Sequence, residues 1–177
     1  MFTKNWYAMI AYSIGMNQDD FKNIIRNMEG NDGNSGSYGT AINLLNSNSG
    51  CPYIGRINDQ SIAYSKSGVI IGSGTTAPTI NDYALESRIT TPLSSSGTIT
   101  TTYNDNSVTH TSVFTITNNH TEEITISEIG IFNSSTAKSG EKYAYLLERT
   151  VLETPITISS GGVGQVTYTI TINLPTA

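Results

Sequence analysis

This chain is poor in the residues that carry most protein chemistry. Among its 177 residues there is one cysteine, Cys51, which excludes an internal disulfide and a cysteine-based metal cluster. His110 and His120 are the only histidines, and neither has a second histidine at i+2 or i+4. A metal site would have to be assembled from distant parts, so none is assigned. Charged residues make up 13% of the chain, against about 25% in ordinary domains. Nine Lys and Arg, scattered and outnumbered by fourteen acids, leave a net charge of −5 and no basic patch to neutralise phosphates. Nucleic acid is therefore excluded as the expected partner. No run approaches the roughly 18–20 apolar residues of a membrane span. The stretch Met1–Met16 lacks a clear signal-peptide core or cleavage site. The expectation is a soluble protein made in a cytosol, with no membrane partner.

The missing charge is replaced by Thr, Ser, Asn and Gly, which suit twisted sheets joined by turns and serve helices badly. The clearest element is Gln165–Leu174, where Val166, Tyr168, Ile170, Ile172 and Leu174 alternate with polar residues. A period of two places all five on one face of a strand. Burying each contributes roughly 1.5–3 kcal/mol before entropy is charged against it. A single strand cannot supply that cover, so a second sheet or a second subunit must.

Residues 1–60 read as an N-terminal arm, with a helix and a loop rich in Gly, Asn and Ser, docked on the rest or on a neighbouring subunit. Phe21, Ile24, Ile25 and Met28 recur at helical spacing, with Asn17 as a cap, and predict one amphipathic helix of about ten residues. Trp6, Tyr7, Tyr12 and Phe21 make this end aromatic, which is read as core packing or a subunit contact rather than ligand stacking. Residues 61–177 read as the β domain. Ser61–Tyr64 and Gly68–Ile71 are candidate strands around a turn at Ser65–Gly68. Thr98–Tyr103, Ser107–Thr117, Glu123–Phe132, Lys142–Arg149 and Thr154–Ser159 follow, with a loop at Asn133–Glu141 and a turn at Ser160–Gly164 before the closing strand. In Glu123–Phe132 the apolar phase slips, since Ile124 and Ile126 are even and Ile129 and Ile131 odd. Such a slip predicts a bulge near Ser127-Glu128 or a strand that changes sheets. Strands at this spacing predict a mainly β fold, an antiparallel β-sandwich of jelly-roll-like type with a short helical N-terminal segment.

Candidate sites fail one by one. Gly72-Ser73-Gly74-Thr75-Thr76-Ala77 matches a relaxed dinucleotide fingerprint, but Pro78 follows where a helix should open, and no acid-bearing second strand comes later. A loop leading to a short turn, with Asp82 capping Tyr83–Glu86, fits better. Glu122 and Glu123 would face opposite ways on a strand and cannot act as an acid–base pair. Asn31–Gly36 resembles a calcium loop without its downstream glutamate. No serine sits in a G-x-S-x-G elbow, and Cys51 has only Arg56 nearby to lower its pKa. No catalytic residue, cofactor or metal ligand is assigned, and an enzyme is not expected. Glu128 is an acid inside an apolar strand and needs a buried partner such as Arg88, Arg149 or backbone N–H groups. Gly130, between Ile129 and Ile131, marks a close approach or a bulge.

Two segments carry a likeness. Gly72-Ser73-Gly74-Thr75-Thr76-Ala77-Pro78 with Asp82 and Leu85 resembles the G-x-G-T-T-x-P-x-x-x-D-x-x-L stretch of small structural proteins of tailed bacteriophages. Ile126-Ser127-Glu128-Ile129-Gly130-Ile131-Phe132 resembles the E-I-G strand that accompanies it in tail-collar and tail-fibre attachment domains. Leu146–Leu152 and the strand from Gln165 resemble the usual ending, so the likeness spans 61–177. It implies a non-enzymatic virion component in the tail, collar or head–tail region, made in the bacterial host cytoplasm. Its partners would be copies of itself and other virion proteins, with Glu128, Gly130, Arg149, Trp6 and Phe21 in structural or interaction roles. A capsid decoration or head-fibre anchoring protein is the close alternative. A carbohydrate-binding β-sandwich is a third reading, left open by ten tyrosines.

Overall fold

The computed structural model describes residues 1–13, 26–28, 68–90, 93–136 and 142–173. These form one helix, α1 (Lys4–Ser13), and six strands, β1 (Gly68–Gly72), β2 (Leu93–Asn104), β3 (Ser107–Asn118), β4 (Ile124–Thr136), β5 (Lys142–Ile158) and β6 (Val163–Asn173). Strands β1, β4 and β5 make one sheet with β4 central, and β2, β3 and β6 make another with β3 central. All pairings are antiparallel. The fold is mainly β, with a short N-terminal helix and two antiparallel sheets packed against each other.

The packing follows from alternation. On the second sheet Phe114 and Ile116 of β3 and Val166 of β6 turn inward and are buried against Val69, Ile71, Ile129, Ile131 and Leu147 of the first. The phase slip in β4 is absorbed by a register shift between Ile126 and Glu128, where Ile126 pairs with Ile156 and Glu128 with Val151. The surplus residues on β5 let Ile124 and Ile126 before the shift, and Ile129 and Ile131 after it, enter the same core. The first sheet is buried on its other face too, where Ile70, Phe132, Ala144 and Leu146 pack under Leu85. Covered on both sides, β1 reads as the unbroken apolar run Val69-Ile70-Ile71.

Several expectations need correction. The helix among the described residues is Lys4–Ser13, which was not expected, and Arg26–Met28, the end of the expected helix, is not helical. The remainder of that expected helix, Asn17–Ile25 with Phe21, lies outside the described residues, as do Ser61–Ser67 and Cys51. Lys142–Arg149 and Thr154–Ser159 are not two strands but parts of β5, whose alternation is interrupted by the residues opposite the β4 shift. Pro155 marks this place; as an edge-strand residue at an irregularity it removes no ladder bond that the sheet depends on. The polar segment from Asn133 begins as strand, because β4 continues to Thr136.

Candidate functional site

Glu128 is the structural centre of the segment that carries the likeness. It sits on the outer face of the first sheet, opposite Gly72 on β1, and is fully buried. Its Oε1 accepts from the Gly74 N–H at 3.1 Å and the Ser87 N–H at 2.7 Å. Its Oε2 accepts from the Glu86 N–H at 3.2 Å and from Arg149 Nε at 2.7 Å. A carboxylate taken out of water at this depth requires such compensation. Three backbone donors and one guanidinium supply it, and they fold the segment Ser73–Ile89 over the strand.

The same segment is bound to itself and to Arg149. Thr76 donates from its N–H and its hydroxyl to the Glu86 carboxylate, at 2.8 and 2.7 Å. Asp82 accepts from the Thr79 N–H at 3.0 Å and the Thr79 hydroxyl at 2.7 Å. It therefore closes the turn behind it and does not cap Tyr83–Glu86 as expected. Arg149 reaches Asp82 through Nη1 at 2.8 Å and Glu86 through Nη2 at 3.3 Å. One guanidinium thus ties three carboxylates from three places in the chain. For Asp82, partial burial pushes the pKa up, but hydrogen bonds from Arg149 and Thr79 outweigh it and the carboxyl lies below its usual value. Hydrogen bonds from Thr76 lower Glu86, which is exposed to solvent. Burial disfavours the charged Arg149, yet its bonds to Asp82 and Glu128 prevail and raise its pKa.

Gly72 and Gly74 are explained by this carboxylate. A Cβ at Gly72 would stand 2.5 Å from Glu128 Oε1 and 2.5 Å from the Ser87 carbonyl oxygen. One at Gly74 would stand 2.6 Å from both Glu128 Oε1 and Glu86 Cβ. The G-x-G pattern therefore clears space for an acid from the chain itself, where a nucleotide fingerprint would clear it for phosphate. Gly130 is approached by side chains, with Leu146 Cδ1 and Leu85 Cδ2 at 2.8 and 2.9 Å from an added Cβ. Both register shifts in β4 flank Gly130 and neither falls on it.

Residues at the N-terminal end join this assembly. Thr3 donates to the Leu147 carbonyl at 2.9 Å, Arg149 donates to the Met1 carbonyl at 3.0 Å, and Lys4 donates to the Ile80 carbonyl at 2.9 Å. The Met1 amine meets Glu148 at 2.6 Å and also donates to the Arg149 carbonyl. Asn5 exchanges hydrogen bonds with the backbone of Arg26, whose guanidinium lies 5.9 Å from the Tyr83 ring centre. Trp6 stacks on Phe2 at 4.6 Å and packs on the core edge. Between the sheets, burial pushes the Tyr168 hydroxyl well above its usual pKa, reinforced by the nearby charge of Glu148.

Glu128 and Arg149, both read from the sequence as structural, meet directly; Arg88 instead bridges through its backbone to Gly72. Sequence reasoning missed Glu86, Thr76 and the link from Asp82 to Arg149. It also missed Asn118, a buried side chain that donates to the carbonyls of Glu122, Ile158 and Ser159 and accepts from the His120 N–H. A depression of about 400 Å³ lies over the network, lined by Thr76, Asn81, Asp82, Tyr83, Glu86 and Arg149. Among the described residues no group of three or more His, Cys, Asp or Glu is placed to hold a metal ion. Comparison with family models, curated proteins and solved structures finds no match to the chain.

Proposed function

We propose that this chain is a non-enzymatic structural subunit of a tailed-phage virion, assembling as a multimer in the tail, collar or head–tail region. The phage assignment rests on the sequence likeness of Gly72–Leu85, Ile126–Phe132 and Leu146–Leu152. The observation that supports a structural role is the engagement of the acidic groups at the depression. Glu128 is saturated by four hydrogen bonds, and Asp82 and Glu86 are held by Arg149 and by threonines. Groups bound in this way fix a loop to a strand; moving a proton to a substrate would require breaking that fixation. A jelly-roll-like closure of the sandwich is part of the same proposal.

Capsid decoration or head-fibre anchoring draws on the same support. The carbohydrate-binding reading has less, because among the described residues the exposed rings of Tyr7, Tyr83 and Tyr103 lie on separate segments and Arg26 is drawn against one of them. Peptide mass spectrometry of purified particles, followed by antibody labelling of intact ones, tests the proposal. Labelling at the tail or collar supports it, labelling across the head selects decoration, and absence from particles refutes a virion role.

A further inference from the structure

The two sheets treat their edges differently. On the first sheet, β5 is flanked by the chain's own Met1–Thr3, bonded at Leu147 and Arg149, and β1 by Ser87–Ile89, bonded at Ile71 and Ser73. On the second sheet, among the described residues, no segment pairs with the outer edge of β2 or of β6. Bare edges are ordinarily guarded by charge, proline or a bulge. Here β2, β3 and β6 contain no Asp, Glu, Lys, Arg or Pro, and the register of both pairings runs without a shift. Among the described residues nothing covers the inner face at one end, where Tyr103, Val108 and Ile172 form one cross-strand row with Tyr103 74% and Ile172 56% exposed.

Resting on the assembly reading above, we propose that the outer edge of β6 pairs antiparallel with β6 of a second copy, across a two-fold axis at Thr169. The sequence of β6 is self-complementary about that residue. Thr169 meets itself, Thr167 meets Thr171, Tyr168 meets Ile170 and Val166 meets Ile172. From Gln165 to Asn173 each apolar side chain then faces an apolar one and each threonine a threonine, the pairings that stabilise an antiparallel ladder. The β3–β6 pairing already uses this chemistry, with Thr109 and Thr171 hydroxyls 3.3 Å apart. Electrostatics select the occupant. Copies that each carry −5 repel except where charge is absent, and a charge-free edge offers nothing to steer a charged partner.

The test uses the full chain with Cys51→Ser and Thr169→Cys, oxidised mildly, beside Cys51→Ser with Thr100→Cys on β2. Cysteines at a two-fold antiparallel pair fall within disulfide range. The proposal expects a cross-linked dimer at position 169 and not at position 100. Thr169→Lys, which sets two like charges opposite each other, should weaken self-association by about tenfold while leaving the melting curve of the monomer unchanged. Self-association that is indifferent to Thr169→Lys, with no cross-link at 169, overturns the edge assignment and leaves the assembly reading intact. A chain monomeric at every concentration overturns both.

Discussion

Glu128 receives its four hydrogen bonds from both ends of the folded-over segment and from Arg149, so its loss has two consequences. Glu128→Ala leaves Arg149 buried with one partner fewer and strips three backbone N–H groups of their acceptor. Denaturant unfolding should show a loss of about 3–5 kcal/mol. Glu128→Gln keeps an acceptor oxygen and should lose less. The glycines rank in a definite order. Gly72→Ala meets the Ser87 carbonyl oxygen at 2.5 Å, which cannot move aside, whereas Gly130→Ala meets the ends of two leucines and a backbone oxygen no nearer than 3.1 Å. The first should cost about 3 kcal/mol and the second about 1, by the same measurement. An acid within an apolar strand was legible as a residue in need of a partner. Its other contacts were not, because Gly74, Glu86 and Ser87 lie 54, 42 and 41 positions away and their backbone donors carry no mark in the sequence.

Titration adds a limb at each end of the pH scale. Asp82 has a lowered folded pKa, so its contribution is present above its unfolded value of about 3.9 and is lost as pH falls through the lower folded value. Tyr168 has a raised folded pKa, so its contribution is present below its unfolded value of about 10 and is lost as pH rises beyond it. Melting temperature should fall below about pH 4 and above about pH 10. Asp82→Asn should flatten the acid limb and Tyr168→Phe the alkaline one; an alkaline limb unchanged in Tyr168→Phe would contradict the burial assigned to that hydroxyl.

At the scale of elements, Ser73–Ile89 is fixed to β4 as one unit, although it contains neither helix nor strand. Native-state hydrogen exchange should find the Gly74, Glu86 and Ser87 amides protected together, and Glu128→Gln should release all three at once. Strands β3 and β6 were legible because strict alternation leaves one assignment of faces. Strand β5 was legible only as two pieces, since the residues opposite the β4 shift break its period between Arg149 and Thr154. The slip in β4 announced an irregularity, and only the paired strand reveals that the surplus residues lie on β5. Helix α1 was not legible because KNWYAMIAYS carries three aromatic residues and one β-branched residue, with no acid in its first turn and no base in its last. Asn118 lies one residue beyond the strand expected at Ser107–Thr117, yet it ties the segment before β4 and the β5–β6 turn to the end of β3. Gly161 in that turn holds φ at 69°, and its N–H meets the Asn118 carbonyl at 2.8 Å. Asn118→Ala should cost about 2–3 kcal/mol, read from chemical denaturation.

For the whole molecule, charge and sheet are segregated. The buried acids and Arg149 belong to the first sheet and its covering segment, whereas the second sheet is uncharged throughout its strands. Self-association through the neutral sheet should strengthen with salt, which screens the repulsion between copies of net charge −5. Docking through opposite charges would weaken instead. Sedimentation equilibrium of the unmodified full chain, from nanomolar to micromolar concentration at neutral pH and at two salt levels, measures both the multimer and its salt dependence. A concentration-dependent multimer that tightens as salt is added is the expected result. A single species with the mass of one chain across the whole range, at either salt level, would contradict it.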